Sequence, residues 1–235
     1  MEIIKDKNVL IVGATGGIGK ATALLLKQSG ANLFVTSRDE SKLAELSALL
    51  DLPSHQTFLL DITDANAVKN VAENIHQQIP AIDILINAAG IGIIKPIENL
   101  TEQDFMQTVQ VNLAGAFYLV KNFIEPMKIA KKGLIINIPG VLGKTPMAGA
   151  AAYSASKYGL NGMMKSIREE LKRIDILKKY YRSNGLFENS ILSKDFIIYN
   201  QKTIDRVLLY LYLMEVFEEN NKELINLLNT NLKEH

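Results

Sequence analysis

Cysteine is absent from the 235-residue chain, so disulfides, thiolate chemistry and cysteine-based metal sites are excluded at once. The histidines His55, His76 and His235 stand far apart, which argues against a histidine metal site. An excess of either charge is missing too. Lys and Arg number 26 against 25 Asp and Glu, net +1, so no basic field points to nucleic acid or an anionic membrane, and neither is expected as a partner. No uncharged apolar run approaches transmembrane length. The opening Met1-Glu-Ile-Ile-Lys-Asp6 lacks the charged and apolar regions of a signal peptide, and a soluble cytoplasmic protein is expected.

What is present is apolar and regularly spaced. A hydrophobic content of 48% over this length suits a single domain spanning residues 1–235 with a substantial core. Val9 to Val12 reads as a short strand buried on both faces, as in a parallel sheet. It runs into Gly13, Gly17 and Gly19, spaced G-x-x-x-G-x-G with Gly16 as an extra, and a helix pattern follows from Ile18 to Gln28. A strand turning through glycines into a helix start presents unpaired N–H groups and the positive end of a helix dipole, a site suited to phosphate. A tight turn without a ligand has the same local pattern, so the loop alone does not decide.

Strands and helices then alternate. Strands are expected at Asn32 to Thr36, Gln56 to Leu60, Ile82 to Ile86 and Gly133 to Ile138. Helices are expected over Glu40 to Leu50, capped by Asp39, and over Ala65 to Gln78. Thr101 to Lys128 reads as helical throughout, with Thr101 and Asp104 as a capping box and Phe105, Val109, Leu113, Phe117 and Val120 as its apolar row. Ala151 to Leu171 is a further long helix whose small residues allow close packing on another helix. This alternation predicts an α/β fold with a doubly wound parallel sheet, helices on both faces, and a ligand crevice at the carboxyl ends of the strands. Both long helices, 101–128 and 151–171, are candidates for a homodimer or homotetramer interface. Beyond residue 172 the expectations are a short strand at Phe196 to Tyr199 and helices at Thr203 to Phe217 and Glu223 to Leu232.

Tyr153 and Lys157, four apart on a helix, face the same side, so the ammonium can lie near the phenol and favour its ionised form. That makes an acid/base couple. Such a pair is common on helices that do no chemistry, but here it follows Gly13-x-x-x-Gly17-x-Gly19, Asp61, Asn87-Ala-Ala-Gly90 and Asn112 in order. In this order and at these intervals the motifs resemble the short-chain dehydrogenase/reductase family over about residues 5–173.

The resemblance implies a Rossmann-like fold and an NAD(P)(H)-dependent oxidoreductase that moves hydride between nicotinamide and a small alcohol or carbonyl substrate. It implies that the loop of Gly13, Thr15, Gly17, Ile18 and Gly19 holds the pyrophosphate, that Asp61 with Ile62 contacts the adenine, and that Asn87, Ala88 and Gly90 flank the cofactor. Tyr153 would exchange the proton of the substrate oxygen, Lys157 would bind the nicotinamide ribose and depress the Tyr153 pKa, and Asn112 would kink its helix and hold a relay water. After the second strand the sequence reads Thr36-Ser37-Arg38-Asp39. No acid stands at the strand end to take a ribose 2′-hydroxyl, whereas Ser37 and Arg38 suit a 2′-phosphate; NADP is the expected cofactor, with NAD as the alternative.

Two departures keep other readings open. The family places a catalytic Ser thirteen residues before the Tyr, where this chain has Gly140 in Asn137-Ile-Pro-Gly140. Residues 174–235 form a divergent C-terminal segment of the same domain, with no recognisable Pro-Gly loop after the Tyr-Lys helix. A dinucleotide-binding sensor or partner subunit without turnover stands as the alternative to the enzyme, and a purely structural protein as a third reading.

Overall fold

The computed structural model describes residues 4–138 and 145–172. Its strands are β1 (Asn8–Val12), β2 (Asn32–Ser37), β3 (Thr57–Leu59), β4 (Ile84–Asn87) and β5 (Leu134–Asn137). The helices are α1 (Gly17–Gln28), α2 (Glu40–Leu49), α3 (Ala65–Gln78), α4 (Glu102–Val109), α5 (Gly115–Ala130) and α6 (Ala151–Lys172). All strands pair in parallel in the order β3-β2-β1-β4-β5. The expected Rossmann-like α/β sheet is therefore present, with the order reversing between β1 and β4, where a crevice opens.

Alternation along the central strands sends side chains to two cores. Val9, Ile11, Leu33 and Val35 pack with Ala23 and Leu26 of α1 and Leu43 and Leu46 of α2. Leu10, Val12 and Phe34 pack on the other face with Val68, Val71 and Ile75 of α3 and Leu119, Phe123 and Met127 of α5. Each such side chain contributes about 1.5–3 kcal/mol on full burial, which explains why β1 reads as an unbroken apolar run. At the amino ends of the strands a carboxamide ladder sets the register. Gln56 Nε2 donates to Asn32 Oδ1 (2.6 Å), Asn32 Nδ2 donates to Asn8 Oδ1 (2.7 Å), and the Asn8 N–H donates to Asp83 Oδ2 (3.0 Å).

The caps lie where the sequence puts them: Asp39 accepts from the Lys42 N–H, and Thr101 and Asp104 form the capping box. The 101–128 stretch, expected to be one helix, is instead α4 and α5 joined by a π-helical turn at Gln110–Ala114. That extra residue displaces the apolar row read from the sequence. Val120 is buried, but Phe105 and Phe117 are 38% and 44% exposed, and the core is met by Ala116, Leu119, Phe123 and Met127. α6 packs against α4 and the π turn, and a Cβ on Gly159 would lie 3.0 Å from Leu113 Cδ2, the close approach its small residues permit. No helix among the described residues is long and apolar enough to cross a membrane. The elements expected at 196–199, 203–217 and 223–232 lie outside the described residues.

Candidate active site

The β1 strand ends at Gly13, whose φ of +75° lies in the region that favours glycine, and a Cβ there would stand 2.8 Å from the Ala89 nitrogen. A Cβ on Gly19 would overlap the Gly13 carbonyl oxygen, so Gly19 is a packing residue that brings α1 onto the strand end. Gly17 differs, because a Cβ there would meet nothing within 4 Å. The N-terminus of α1 has no side-chain cap and no acidic residue in its first turn, in contrast to the capped starts of α2, α3 and α4. The first helical bond runs from the Lys20 N–H to the Gly16 oxygen, so the N–H groups of Gly17, Ile18 and Gly19 have no partner within the helix. An anionic group fits this glycine corner.

Beside it lies a cavity of about 200 Å³ lined by Gly13, Thr15, Ser37, Arg38, Asp61, Ile62, Ala88 and Gly90, all expected from the sequence. Gly16, Leu60, Ala89, Ile91 and Val111 also line it and were not expected individually. Ser37 Oγ accepts the Asp39 N–H (3.0 Å) and shares a hydrogen bond with Thr15 Oγ1 (2.7 Å), which ties the glycine loop to the end of β2. The Thr63 N–H and hydroxyl both donate to Asp61 Oδ1 and hold that carboxyl below its usual pKa, with the Arg38 charge adding to the effect. Ile18 is 42% exposed, and it, Gly17 and Gly19 are not among the residues that line the cavity. Asn87 does not reach the cavity. It donates to Asn137 Oδ1 (2.9 Å) and accepts the Ala89 N–H (3.2 Å), shaping the loop after β4.

The loop after β4 leads to the second cluster. A Cβ on Gly90 would lie 3.2 Å from Asn112 Oδ1 and 3.4 Å from Lys157 Nζ, and one on Gly92 would lie 3.6 Å from the Tyr153 ring. Lys157 Nζ is 5.4 Å from the Tyr153 ring centroid and donates to the Ile138 oxygen (2.9 Å). Asn112 is the centre of the π turn, in agreement with the helix irregularity expected of it. Its Oδ1 accepts the Ile91 N–H (2.9 Å) and its Nδ2 donates to the Ile91 oxygen (2.8 Å). The loop after β4 joins the two clusters: Gly90 and Ile91 line the cavity and also meet Asn112 and Lys157.

One electrostatic expectation is corrected. Lys157 does not depress the phenol pKa here: burial raises Tyr153 above its ordinary 10.0, and burial also pulls Lys157 down to about 8. Desolvation disfavours the charged form of both groups, and it outweighs their mutual influence.

The sequence pattern of the family described as short chain dehydrogenase matches residues 7–177. The chain belongs to the short-chain dehydrogenase/reductase family. Among curated relatives of this family, the 3-oxoacyl-[acyl-carrier-protein] reductase FabG of Thermotoga maritima is 34% identical, the match covering 72% of this chain and 69% of that protein. The 3beta-hydroxysteroid dehydrogenase of Mediterraneibacter gnavus is 30% identical, over 69% of this chain and 59% of that protein. A crystal structure of a metagenomic short-chain oxidoreductase in complex with NADP superposes with a TM-score of 0.67 at 32% identity, covering 72% of this chain and 77% of that one. As a short-chain dehydrogenase/reductase the protein is an oxidoreductase of a family that binds NAD(P), and the donor-rich glycine corner and the cavity beside it fit a dinucleotide.

Sequence reasoning missed Ser156 and Asn137, both buried and both bonded to a named site residue. Their signal was adjacency: Ser156 sits inside the Tyr153–Lys157 turn, and Asn137 is the β5 residue paired with Asn87. Gly140, which stands where the family has its Ser, lies outside the described residues, as does the 174–235 segment.

Proposed function

We propose that this oxidoreductase uses NADP(H) to interconvert a small carbonyl compound and its alcohol, with Tyr153 as the acid/base group. The observation that carries the reading is the convergence of Asn112 and Lys157 on Gly90 and of Tyr153 on Gly92, in the loop after β4 whose Gly90 and Ile91 also line the cavity beside the glycine corner. The bound nicotinamide supplies or accepts the hydride. Tyr153 gives the proton to the substrate oxygen in reduction and recovers it in oxidation. Lys157, whose Nζ donates to the Ile138 oxygen and lies beside Gly90, would hold the ribose. The rim suits an apolar substrate. The Lys95 N–H donates to the Gly149 oxygen (2.8 Å), which joins the loop after β4 to the segment before α6, and Ile94 and Met147 stand half exposed on these joined loops.

Arg38 and Ser37 at the end of β2 support a preference for NADP. Asp39, the acidic neighbour, is committed to capping α2, and a relative is known in complex with NADP. Arg38→Ala is expected to raise the Kd of NADPH roughly 10- to 100-fold, the loss of one or two charge-assisted bonds, and to leave NADH within about twofold. Titration by nicotinamide fluorescence measures both. Equal losses would remove Arg38 from cofactor selection. Turnover with a panel of ketones, aldehydes and alcohols tests the wider reading.

The exposed Phe105, Met106 and Phe117 of the α4–α5 region and Tyr158 of α6 support a homodimer or homotetramer through 101–128 and 151–171. Sedimentation equilibrium is expected to give a mass at least twice that of the chain, and Phe117→Glu to lower it.

A further inference from the structure

We propose that Ser156 is a positioning residue for the reaction, locking Asn112 to the turn of α6 that carries Tyr153 and Lys157; this rests on the reading of those residues as the reacting cluster. Ser156 is fully buried, and its hydroxyl makes two bonds. Oγ donates its one proton to the Tyr153 carbonyl oxygen (2.8 Å), so a lone pair is left to accept from Asn112 Nδ2 (3.0 Å). That acceptance joins the Asn112 carboxamide to α6. Both Nδ2 protons are used, one on Ser156 and one on the Ile91 oxygen, while Oδ1 takes the Ile91 N–H. A flipped amide would set its oxygen against the Ile91 oxygen and its nitrogen against the Ile91 N–H. The Ile91 backbone therefore fixes which way the carboxamide faces, and Ser156 ties that clamp to α6, completing a bracket that spans the loop after β4, the π turn and α6, with Lys157 the next residue along.

The hydroxyl touches none of the reacting groups; its effect passes through Asn112 and the α6 backbone. Removing it frees one buried N–H of Asn112 and loosens the Ile91 clamp beside Gly90 and Lys157 Nζ. Misplacement of a reacting group by about 1 Å costs on the order of 10²-fold.

Ser156→Ala is expected to lower kcat by about 10-fold or more, a larger change than in the KM for NADPH, because the hydroxyl itself does not line the cofactor cavity. Ser156→Cys keeps a weak donor and acceptor in nearly the same volume and should fall between Ala and wild type in kcat. In the cofactor-free protein, amide hydrogen exchange at Ile91 should accelerate in both variants, more in Ala. In an Asn112→Ala background, Ser156→Ala should cost clearly less kcat than in the wild-type background. An equal loss in both backgrounds, or unchanged exchange at Ile91, overturns the positioning role. Exchange at Ile91 reports on the bracket without any turnover, so it is decided separately from the proposed activity, which falls if Tyr153→Phe turns over like the wild type.

Discussion

Tyr153→Phe is expected to lower kcat by roughly 10²- to 10⁴-fold, the range that a positioned general acid or base contributes, with Tm and the Kd of NADPH close to wild type. The substitution removes one oxygen and keeps the ring, and the ring is what packs beside the Lys157 ammonium and Gly92. Steady-state rates followed by nicotinamide absorbance, alongside a cofactor titration, separate chemistry from binding. Unchanged turnover would exclude Tyr153 from the reaction. Burial raises the phenol pKa, so Tyr153 carries its proton at neutral pH, the form that can donate to a carbonyl oxygen. Reduction is therefore expected to proceed at neutral pH, and alcohol oxidation, which needs the phenolate, to accelerate as pH rises through the alkaline range.

The second large effect is on stability. Lys157 holds its proton to about pH 8 in the folded protein against 10.5 as its ordinary value. Between these two values the unfolded chain binds the extra proton, so raising the pH favours the folded state. Below pH 8 both states are protonated, and burial of the ammonium costs the fold on the order of 3 kcal/mol; above 10.5 both are neutral and the cost is gone. Cofactor-free protein should gain about 2 kcal/mol in unfolding free energy from pH 7.5 to 9.5. Tyr153 acts in the opposite direction only above pH 10, where its raised pKa makes the folded state the better proton binder. Urea unfolding across this range measures the gain, and Lys157→Met, which keeps the length and apolar stem, should lose it. A rise of the same size in Lys157→Met would assign the trend to other groups.

Much of this was legible because local and global signals agree. The apolar run at Val9–Val12, the glycines after it and the caps at Asp39 and Thr101 each demand one backbone state, and the sheet provides it. The π turn was legible only as the kink at Asn112 that the family resemblance implies, and the spacing of the residues did not show it. Residues on both sides of it keep helical spacing, and what stabilises the turn is distant in sequence: the Ile91 backbone, 21 positions away, and Ser156, 44 positions away. The Tyr153 pKa was misread for a related reason. Four-residue spacing shows that a cation is near, but it does not show that both groups are stripped of water, and the second effect is the larger.

The π turn also bears on how this chain can change length. Each helical residue advances the chain about 100° around the axis, so removing one from Gln110–Ala114 would restore an ordinary α turn and rotate everything N-terminal of the deletion against α5 by that amount. Asn112 would leave the Ile91 bracket, or the core residues Ala116, Leu119 and Phe123 would leave their face. Surface loops in this fold can absorb insertions and deletions over time, whereas this stretch inside a helix admits no single-residue gap.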